Sequence, residues 1–253
     1  ADGDPILAVV RGCSINHGGR GAALTAPNPD AQARLIRRAL KEAGLPPSAL
    51  GYIEAHGTGT ALGDPIEIDA LIAALADADG HASQRAGGPE GKVWIGSVKS
   101  SIGHLEGAAG LIGMIKAVQV LQRGVIPANL GFSRLNPNID LAGTPLSIAS
   151  RRVSWPASGT VRVAAVSSFG FGGSNAHVVL AEPEDKSEER PALPLQRFRR
   201  KPFWLPERST LTVNPTDPIA DHIVDGERIL PGAASLAVLS GRGPTSLRNV
   251  RFL

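Results

Sequence analysis

Residues 96–110 read GSVKSSIGHLEGAAG, and they join two apolar stretches of the chain, residues 93–98 and residues 107–121. The first stretch has the length of a strand. The second is rich in alanine and glycine, is apolar nearly all round and stops at Gly124, which predicts a buried helix. A strand that leads through a glycine-rich loop into a helix is typical of layered α/β domains.

The same alternation continues on both sides of this loop. It predicts strands over residues 6–10, 52–55, 161–166 and 176–181. One helix is predicted to begin at Asn28-Pro29 and to end at Gly44, since asparagine and proline favour helix starts and glycine favours helix ends. Another is predicted to begin at Asp64, with Glu67 as its capping-box glutamate. The sequence therefore predicts the α/β class.

Composition divides the chain into three parts. Residues 1–182 carry the strand and helix pattern and are predicted to form the folded domain. Residues 183–216 are charged at first and then rich in proline, arginine and aromatic residues, which indicates a linker. Residues 217–253 are too short to form a domain by themselves. The chain has no initiator methionine, so we expect its start to lie inside a longer protein.

Charge and hydropathy exclude several classes of function. The net charge is only +3, and part of the excess is one basic run at residues 197–201, so nucleic-acid binding is not expected. No apolar run reaches the roughly 18–20 residues of a membrane span. The single cysteine, Cys13, cannot form an internal disulfide, which fits a cytoplasmic protein.

Two more glycine-rich motifs contain groups that suit catalysis or substrate binding. Residues 54–60 read EAHGTGT, with His56 at the end of a predicted strand and two hydroxyls, Thr58 and Thr60, that can bind an extended substrate arm. Residues 167–177 read SSFGFGGSNAH, a loop that can present backbone N–H groups to an oxyanion. Each motif alone is weak evidence, because histidines in such loops are often structural and glycine-rich turns also bind phosphates.

Taken together, in this order and spacing, the three motifs resemble the β-ketoacyl synthase (ketosynthase) family. The resemblance covers residues 1–182, which match the C-terminal half of that domain. It implies a thiolase-like layered fold. It also implies a polyketide synthase that condenses an acyl thioester with a malonyl-type extender, which an acyl carrier protein holds on its phosphopantetheine. No cofactor is expected on this chain itself.

The resemblance assigns the decarboxylation chemistry to two histidines. His56 and His104 match the family's pair, and neutral imidazoles suit that task because they can donate hydrogen bonds to a developing enolate oxygen. Lys99 matches the lysine that supports the second histidine. Ser101 stands where many relatives have asparagine, a departure that leaves these assignments intact.

The resemblance assigns substrate binding to the other two motifs. Thr58 and Thr60 match the pair that bonds the phosphopantetheine arm. Phe171 matches the position whose backbone N–H helps to form the oxyanion hole and whose ring gates the acyl channel, and Gly172 follows it in the same loop.

The family's nucleophilic cysteine lies upstream of every residue in this chain. Cys13 is not its replacement, because its surroundings resemble a variable strand position, and we expect it to be buried and inert. An upstream half should therefore supply the nucleophile, and the chain alone should be inactive. The complete enzyme is expected to be a homodimer. His17 and His177 are predicted to be structural, and His81 to be solvated.

Residues 222–232, HIVDGERILPG, resemble the HxxxGxxxxP motif of polyketide dehydratases, which have a hot-dog-type fold. His222, Gly226 and Pro231 match the motif, but the acidic partner of that domain is absent, so dehydration is not expected. A ketosynthase followed so closely by a dehydratase start is similar to the class served by a separate, trans-acting acyltransferase. A truncated chain would give the same order.

Two interpretations stay open at this point. In the first, the chain is a fragment of an active ketosynthase; in the second, it is a non-catalytic structural or docking remnant of a synthase. The presence of both histidines and Lys99 favours the first. A degradative thiolase is disfavoured, because that family uses a late cysteine and this chain has none after residue 13.

Overall fold

A computed structural model describes residues 6–19, 27–76 and 86–183 in full, together with the backbone of four two-residue strands further along the chain. The chain divides into two compact units, Ala1–Pro191 and Ala192–Leu253. The first unit contains the sheet, the helices and all the fully described residues.

The first unit has eight strands and four α-helices among its described residues. The strands are β1 (Val9–His17), β2 (Leu50–Glu54), β3 (Val93–Gly96), β4 (Val125–Ile126), β5 (Leu146–Ile148), β6 (Val153–Ser154), β7 (Val163–Phe169) and β8 (Ser174–Ala181). The helices are α1 (Pro29–Ala43), α2 (Gly63–Leu75), α3 (Lys99–Ile102) and α4 (Ala109–Arg123), with short 3₁₀ turns at Pro47–Ala49, Pro89–Gly91 and Glu106–Ala108.

Six of these strands form one mixed sheet in the order β1-β8-β7-β2-β3-β5. Strands β7, β2, β3 and β5 run parallel to one another, whereas β8 is antiparallel to both of its neighbours, β7 and β1. Parallel strands end at a common edge of a sheet. The carboxyl ends of β2, β3 and β7 therefore bring the loops that follow them to one place.

Two hydrophobic cores lie on opposite faces of the sheet. One packs α1 and α2 against residues such as Ile53 and Ala165, and the other packs α4 against the alternate residues Tyr52 and Val166. The α/β class predicted from the sequence is confirmed by this helix–sheet–helix layering.

Helix α1 begins and ends as the sequence predicts. Asn28 Oδ1 accepts a hydrogen bond from the Ala31 N–H at 3.1 Å, which caps the first turn. Gly44 ends the helix with φ +65°, a conformation that glycine adopts without strain.

Strand β1 differs from its prediction in place and exposure. It covers Val9–His17 rather than residues 6–10, so Cys13 lies in the middle of the strand. The prediction that Cys13 is buried is wrong: its side chain is exposed. The alternation of the strand explains this, because Gly12 and Ser14 face α1 while Cys13 and Ile15 point to the opposite side, where Ile15 is 78% exposed.

The second unit is described only as pairs of short strands. Thr210–Leu211 (β9) pairs with Ser246–Leu247 (β12), and Ile223–Val224 (β10) pairs with Glu227–Arg228 (β11). The dehydratase-like residues predicted above, His222, Gly226 and Pro231, lie outside the described residues, and so does His81. Among the helices that the structure describes, none combines the length and the apolar character that a bilayer crossing requires.

Candidate active site

The two predicted histidines meet beyond the carboxyl ends of the parallel strands. His56 follows β2 by two residues, and His104 lies in the loop between α3 and α4. Their ring centroids are 5.5 Å apart, with the ring planes at 80°. The Phe169 ring lies 5.7 Å from His56 and forms a third wall of the site.

The hydrogen bonds of the histidines indicate the same tautomer for both neutral rings. Nδ1 of His104 accepts a hydrogen bond from the backbone N–H of Glu106 at 2.8 Å, and Nδ1 of His56 accepts a longer one from Phe169 N–H at 3.4 Å. In a neutral ring the proton then lies on Nε2, which becomes a donor. Glu106 adopts φ +48°, so the backbone is strained at the residue that orients His104.

The surroundings of His56 favour its neutral form. Burial lowers the pKa of His56 to about 4, and the nearby charge of Lys99 acts in the same direction. At neutral pH the His56 imidazole is therefore an uncharged hydrogen-bond donor.

Two carboxylates hold the loop that carries His56. Glu67 of α2 accepts hydrogen bonds from the N–H groups of His56 at 2.7 Å and Gly57 at 2.9 Å, and Asp64 accepts from Gly59 at 3.0 Å. The prediction that Glu67 is a capping-box residue is wrong, because its carboxyl accepts from the loop N–H groups of His56 and Gly57 and not from an N–H group at the start of α2. The buried Glu67 carboxyl is thus a hydrogen-bond acceptor for the loop that carries His56.

Burial raises the pKa of the Glu67 carboxyl to about 7, although its two backbone hydrogen bonds oppose this shift. Burial also raises the pKa of Asp64. Lys99 is the first residue of α3 and lies near both carboxylates. Burial lowers the pKa of its ammonium group, and the charges of Glu67 and Asp64 partly oppose this shift. The charge of Lys99 acts on His56; its support of His104 stays a prediction.

The predicted pantetheine-binding threonines lie on the exposed side of the loop. Thr60 accepts a hydrogen bond from Gly63 N–H at 2.9 Å, and Thr58 lines a cavity of about 540 Å³. Lys99 and Glu67 line the same cavity, as do Asn129 and apolar side chains of the segment that follows it.

His17, the last residue of β1, anchors the loop between β7 and β8. Nε2 of His17 lies 3.0 Å from the Gly172 carbonyl oxygen, and Nδ1 accepts from Gly19 N–H at 2.9 Å. Gly18 N–H donates to the Gly173 oxygen at 2.7 Å. The Phe171 ring projects from this anchored loop and is 86% exposed.

His177, which was predicted to be structural, lies in the core. It is fully buried in β8 and its Nδ1 lies 3.0 Å from Ser167 Oγ. Burial lowers its pKa to about 4.

The sequence motifs missed three contributors to the site: Glu67, Phe169 and Glu54. Phe169 stands within the quoted 167–177 motif, so its position could have suggested a role. Glu54 belongs to the 54–60 motif and Glu67 to a predicted helix start, but both accept hydrogen bonds from backbone N–H groups that these local patterns do not indicate. Among the described residues, no three His, Cys, Asp or Glu side chains come together where they could hold a metal ion.

Comparison with solved structures identifies the fold. The oxazolomycin ketosynthase domain of Streptomyces albus superposes with a TM-score of 0.65 at 46% identity, over 72% of this chain and 30% of that one. Ketosynthase twelve of the bacillaene polyketide synthase of Bacillus amyloliquefaciens gives a TM-score of 0.66 at 38% identity, over 72% of this chain and 31% of that one. The first unit therefore has the thiolase-like fold of ketosynthases.

The family follows from the sequence comparisons. The pattern described as beta-ketoacyl synthase, C-terminal domain, matches residues 7–133, and that of the ketoacyl-synthetase C-terminal extension matches residues 136–206. The chain belongs to the β-ketoacyl synthase family and carries its C-terminal domain.

Curated relatives of the chain are large polyketide synthases. One component of the phenolphthiocerol/phthiocerol polyketide synthase of Mycobacterium tuberculosis is 48% identical over 181 residues, or 72% of this chain. The highly reducing polyketide synthase Preu1 of Preussia isomera is 46% identical over 189 residues, or 75% of this chain. The chain spans only 11% and 8% of the lengths of these two relatives.

Proposed function

We propose that this chain supplies the decarboxylation and enolate-binding half of a polyketide ketosynthase. The observation that carries the proposal is the pair of imidazoles, His56 and His104, whose rings are 5.5 Å apart and whose Nδ1 atoms both accept backbone hydrogen bonds. Two Nε2–H donors can then converge on one oxygen. That arrangement suits the enolate that forms when a malonyl thioester loses carbon dioxide.

In this reaction the carboxylate carbon of the extender leaves as carbon dioxide, and its bonding electrons become the enolate. The two histidines donate hydrogen bonds to the thioester oxygen as charge develops there. The enolate carbon then attacks an acyl thioester and the cysteine thiolate leaves. A neutral His56 supports this role, because its lowered pKa, about 4, keeps it as a donor without a competing charge.

The remaining candidate residues bind the substrates in this proposal. Thr58 and Thr60 bond the phosphopantetheine arm of an acyl carrier protein, and the cavity beside Thr58 favours this. The backbone N–H of Phe171 donates to the thioester oxygen at the acyl-enzyme stage, and Gly172 keeps the loop in place through its carbonyl bond to His17. The exposed Phe171 ring is free to gate the acyl channel.

The nucleophilic cysteine is proposed to come from an upstream half of the domain. The exposed apolar face of α4 favours this, since Leu111 is 69% and Ile115 57% exposed one turn apart. These side chains contradict the prediction that α4 is buried all round: one face packs on the sheet and the described residues leave the other uncovered. The matched family segment is a C-terminal domain, which makes an N-terminal half the natural occupant.

The wider assignments extend the same proposal. A trans-acting acyltransferase loads the extender on the carrier protein, the complete ketosynthase is a homodimer, and the synthase works in the cytoplasm. The dehydratase-like segment at residues 217–253 marks the start of the next domain, without dehydratase activity of its own.

The experiment combines the chain with a separately produced ketosynthase N-terminal half and malonyl carrier protein. We expect the mixture to release carbon dioxide, and the His56→Ala and His104→Ala variants to lose at least about 10²-fold of the rate. The Cys13→Ser variant is the matched control and should keep it. Mixtures that bind but release no carbon dioxide would favour a docking remnant, and a stable acyl adduct on Cys13 in intact-mass spectra would refute the assignment of the nucleophile.

A further inference from the structure

A buried carboxylate, Glu54, lies where three segments of the candidate site meet. It is the last residue of β2 and is 1% exposed. Its Oε1 accepts a hydrogen bond from Val98 N–H at 2.5 Å, and its Oε2 accepts one from the Tyr52 hydroxyl at 2.5 Å. The Lys116 ammonium lies 2.9 Å from the same Oε2. A buried carboxylate of this kind is stable because it is both paired and hydrogen-bonded.

The partners of Glu54 belong to segments that carry candidate catalytic groups. His56 follows Glu54 by two positions, Lys99 follows Val98 directly, and Lys116 lies in α4, the helix after the second histidine loop. One side chain therefore joins the end of β2, the start of α3 and the middle of α4. We propose that Glu54 and Lys116 are a positioning pair, which fixes His56 and Lys99 relative to α4.

The space around the pair is shaped by two glycines. A Cβ added at Gly96 would lie 2.5 Å from the Tyr52 hydroxyl and 3.1 Å from Lys116 Nζ. A Cβ added at Gly113 would lie 3.2 Å from Glu54 Cγ. Alanine at Gly96 would thus displace the cluster, so the chain leaves room for these polar groups between the sheet and α4.

The charges of the pair depend on each other. Lys116 is only 15% exposed and lies 5.7 Å from the centre of the Tyr52 ring, so little water solvates it. Burial, followed by the Glu54 charge, raises the pKa of Tyr52 well above its ordinary value, which keeps the hydroxyl as a donor. Removal of one partner would leave a buried charge without its counterpart, whereas removal of both would cost much less.

A second buried ion pair provides a matched control. Arg162 and Glu182 are joined at 2.7 Å with side chains that are nearly as buried. They tie the start of β7 to the residue after β8, at the ends of these strands away from Phe169 and the glycine-rich loop. Loss of this pair should affect stability and leave the geometry of the histidines unchanged.

The first measurement uses the chain alone and needs no catalysis. Glu54→Gln, Lys116→Met and the double variant are compared with the Arg162→Met/Glu182→Gln control by amide exchange at Gly103, whose N–H donates to the Lys99 carbonyl, and at Gly57, and by the imidazole carbon signal of His56. We expect exchange at both amides to rise by about 10-fold in the single variants, and the imidazole signal to move, with no such change in the control. Unchanged signals in the single variants would overturn the proposal.

The second measurement uses the complete ketosynthase, and here the inference rests on the proposed function. We expect each single variant to lower kcat for decarboxylation by about 10²-fold with little change in KM, because misplacement of catalytic groups acts on the chemical step. The double variant, which removes both charges and so keeps a foldable chain, should be no slower than the slower single variant.

A loss that follows stability alone, equal to that of the control pair, would overturn the positioning role. If the unaltered enzyme releases no carbon dioxide, the proposed function fails, and the amide-exchange result still decides whether the pair positions His56 and Lys99.

Discussion

At the scale of single residues, hydrogen bonds distinguish the histidines of this chain from one another. His56 and His104 accept backbone N–H groups at Nδ1, which leaves Nε2 as the donor atom of the neutral ring. His17 also accepts at Nδ1, but its Nε2 is already used by the Gly172 carbonyl, and His177 is sealed in the core. The four histidine rings that the structure describes therefore divide into two candidate donors, one loop anchor and one core residue.

The loop anchor gives the first residue-scale prediction. His17→Ala removes the contact to Gly172 and the acceptor for Gly19 N–H, each worth about 1 kcal/mol. Amide exchange at Gly170 and Gly173, whose N–H groups donate within the loop, should therefore become roughly 5- to 30-fold faster. His17→Gln keeps an N–H donor for the Gly172 oxygen and should restore part of the protection. Equal exchange in the alanine variant and the unaltered chain would show that His17 does not anchor the loop.

At the scale of elements, the contact between α2 and the loop after β2 positions His56. The Glu67 carboxyl of α2 accepts hydrogen bonds from the N–H groups of His56 and Gly57. The orientation of α2 therefore determines the position of the His56 backbone. Gly57 adopts φ +46°, and a Cβ there would lie 2.8 Å from Ser97 Cβ. The loop therefore depends on one buried acceptor and one position that tolerates only glycine.

The buried Glu67 carboxyl at this contact predicts a pH dependence of stability. The pKa of Glu67 is about 7 in the folded chain against 4.5 for a free carboxyl, so the folded state binds the proton more tightly. The stabilisation is fully present below about pH 4.5 and is lost as the pH rises through about 7, by an amount on the order of 3 kcal/mol. The lowered pKa values of His56 and His177 add stability as the pH rises over much of the same range. The Glu67 contribution is therefore measured as the difference in urea-unfolding free energy between the unaltered chain and Glu67→Gln, which should fall from pH 5 to about 8. The same slope in the variant would refute the assignment.

Comparison of sequence and structure shows which interactions a local pattern contains. The strand–loop–helix units, the α1 caps and the three glycine-rich loops are local, and these loops contain the predicted site residues His56, His104, Lys99 and Phe171. Glu67 was misread because a glutamate three residues into a helix usually caps it, whereas here its carboxylate serves a loop ten residues away. Cys13 was misread because the burial of a strand face depends on what packs against it, which alternation alone does not state.

At the scale of the whole molecule, the uncovered face of α4 predicts an interface. Leu111→Lys/Ile115→Lys should leave the fold intact, since both side chains are exposed, but should weaken binding to the N-terminal half by at least about 10²-fold. Leu62→Lys, an equally exposed apolar position elsewhere, is the control. Titration calorimetry measures both. Unchanged affinity in the double variant would mean that the upstream half binds another surface.

The order of strands in the sheet has a consequence for synthesis on the ribosome. Strand β1 is made before the other described strands, yet β8 is its one neighbour among them, with Val9 opposite Ala181. Strand β7, which joins β8 to β2, is also made late. In the nascent chain β1 therefore cannot pair with its neighbour among the described strands until β8 emerges, and in that interval its edge is a site for unwanted pairing or for chaperones.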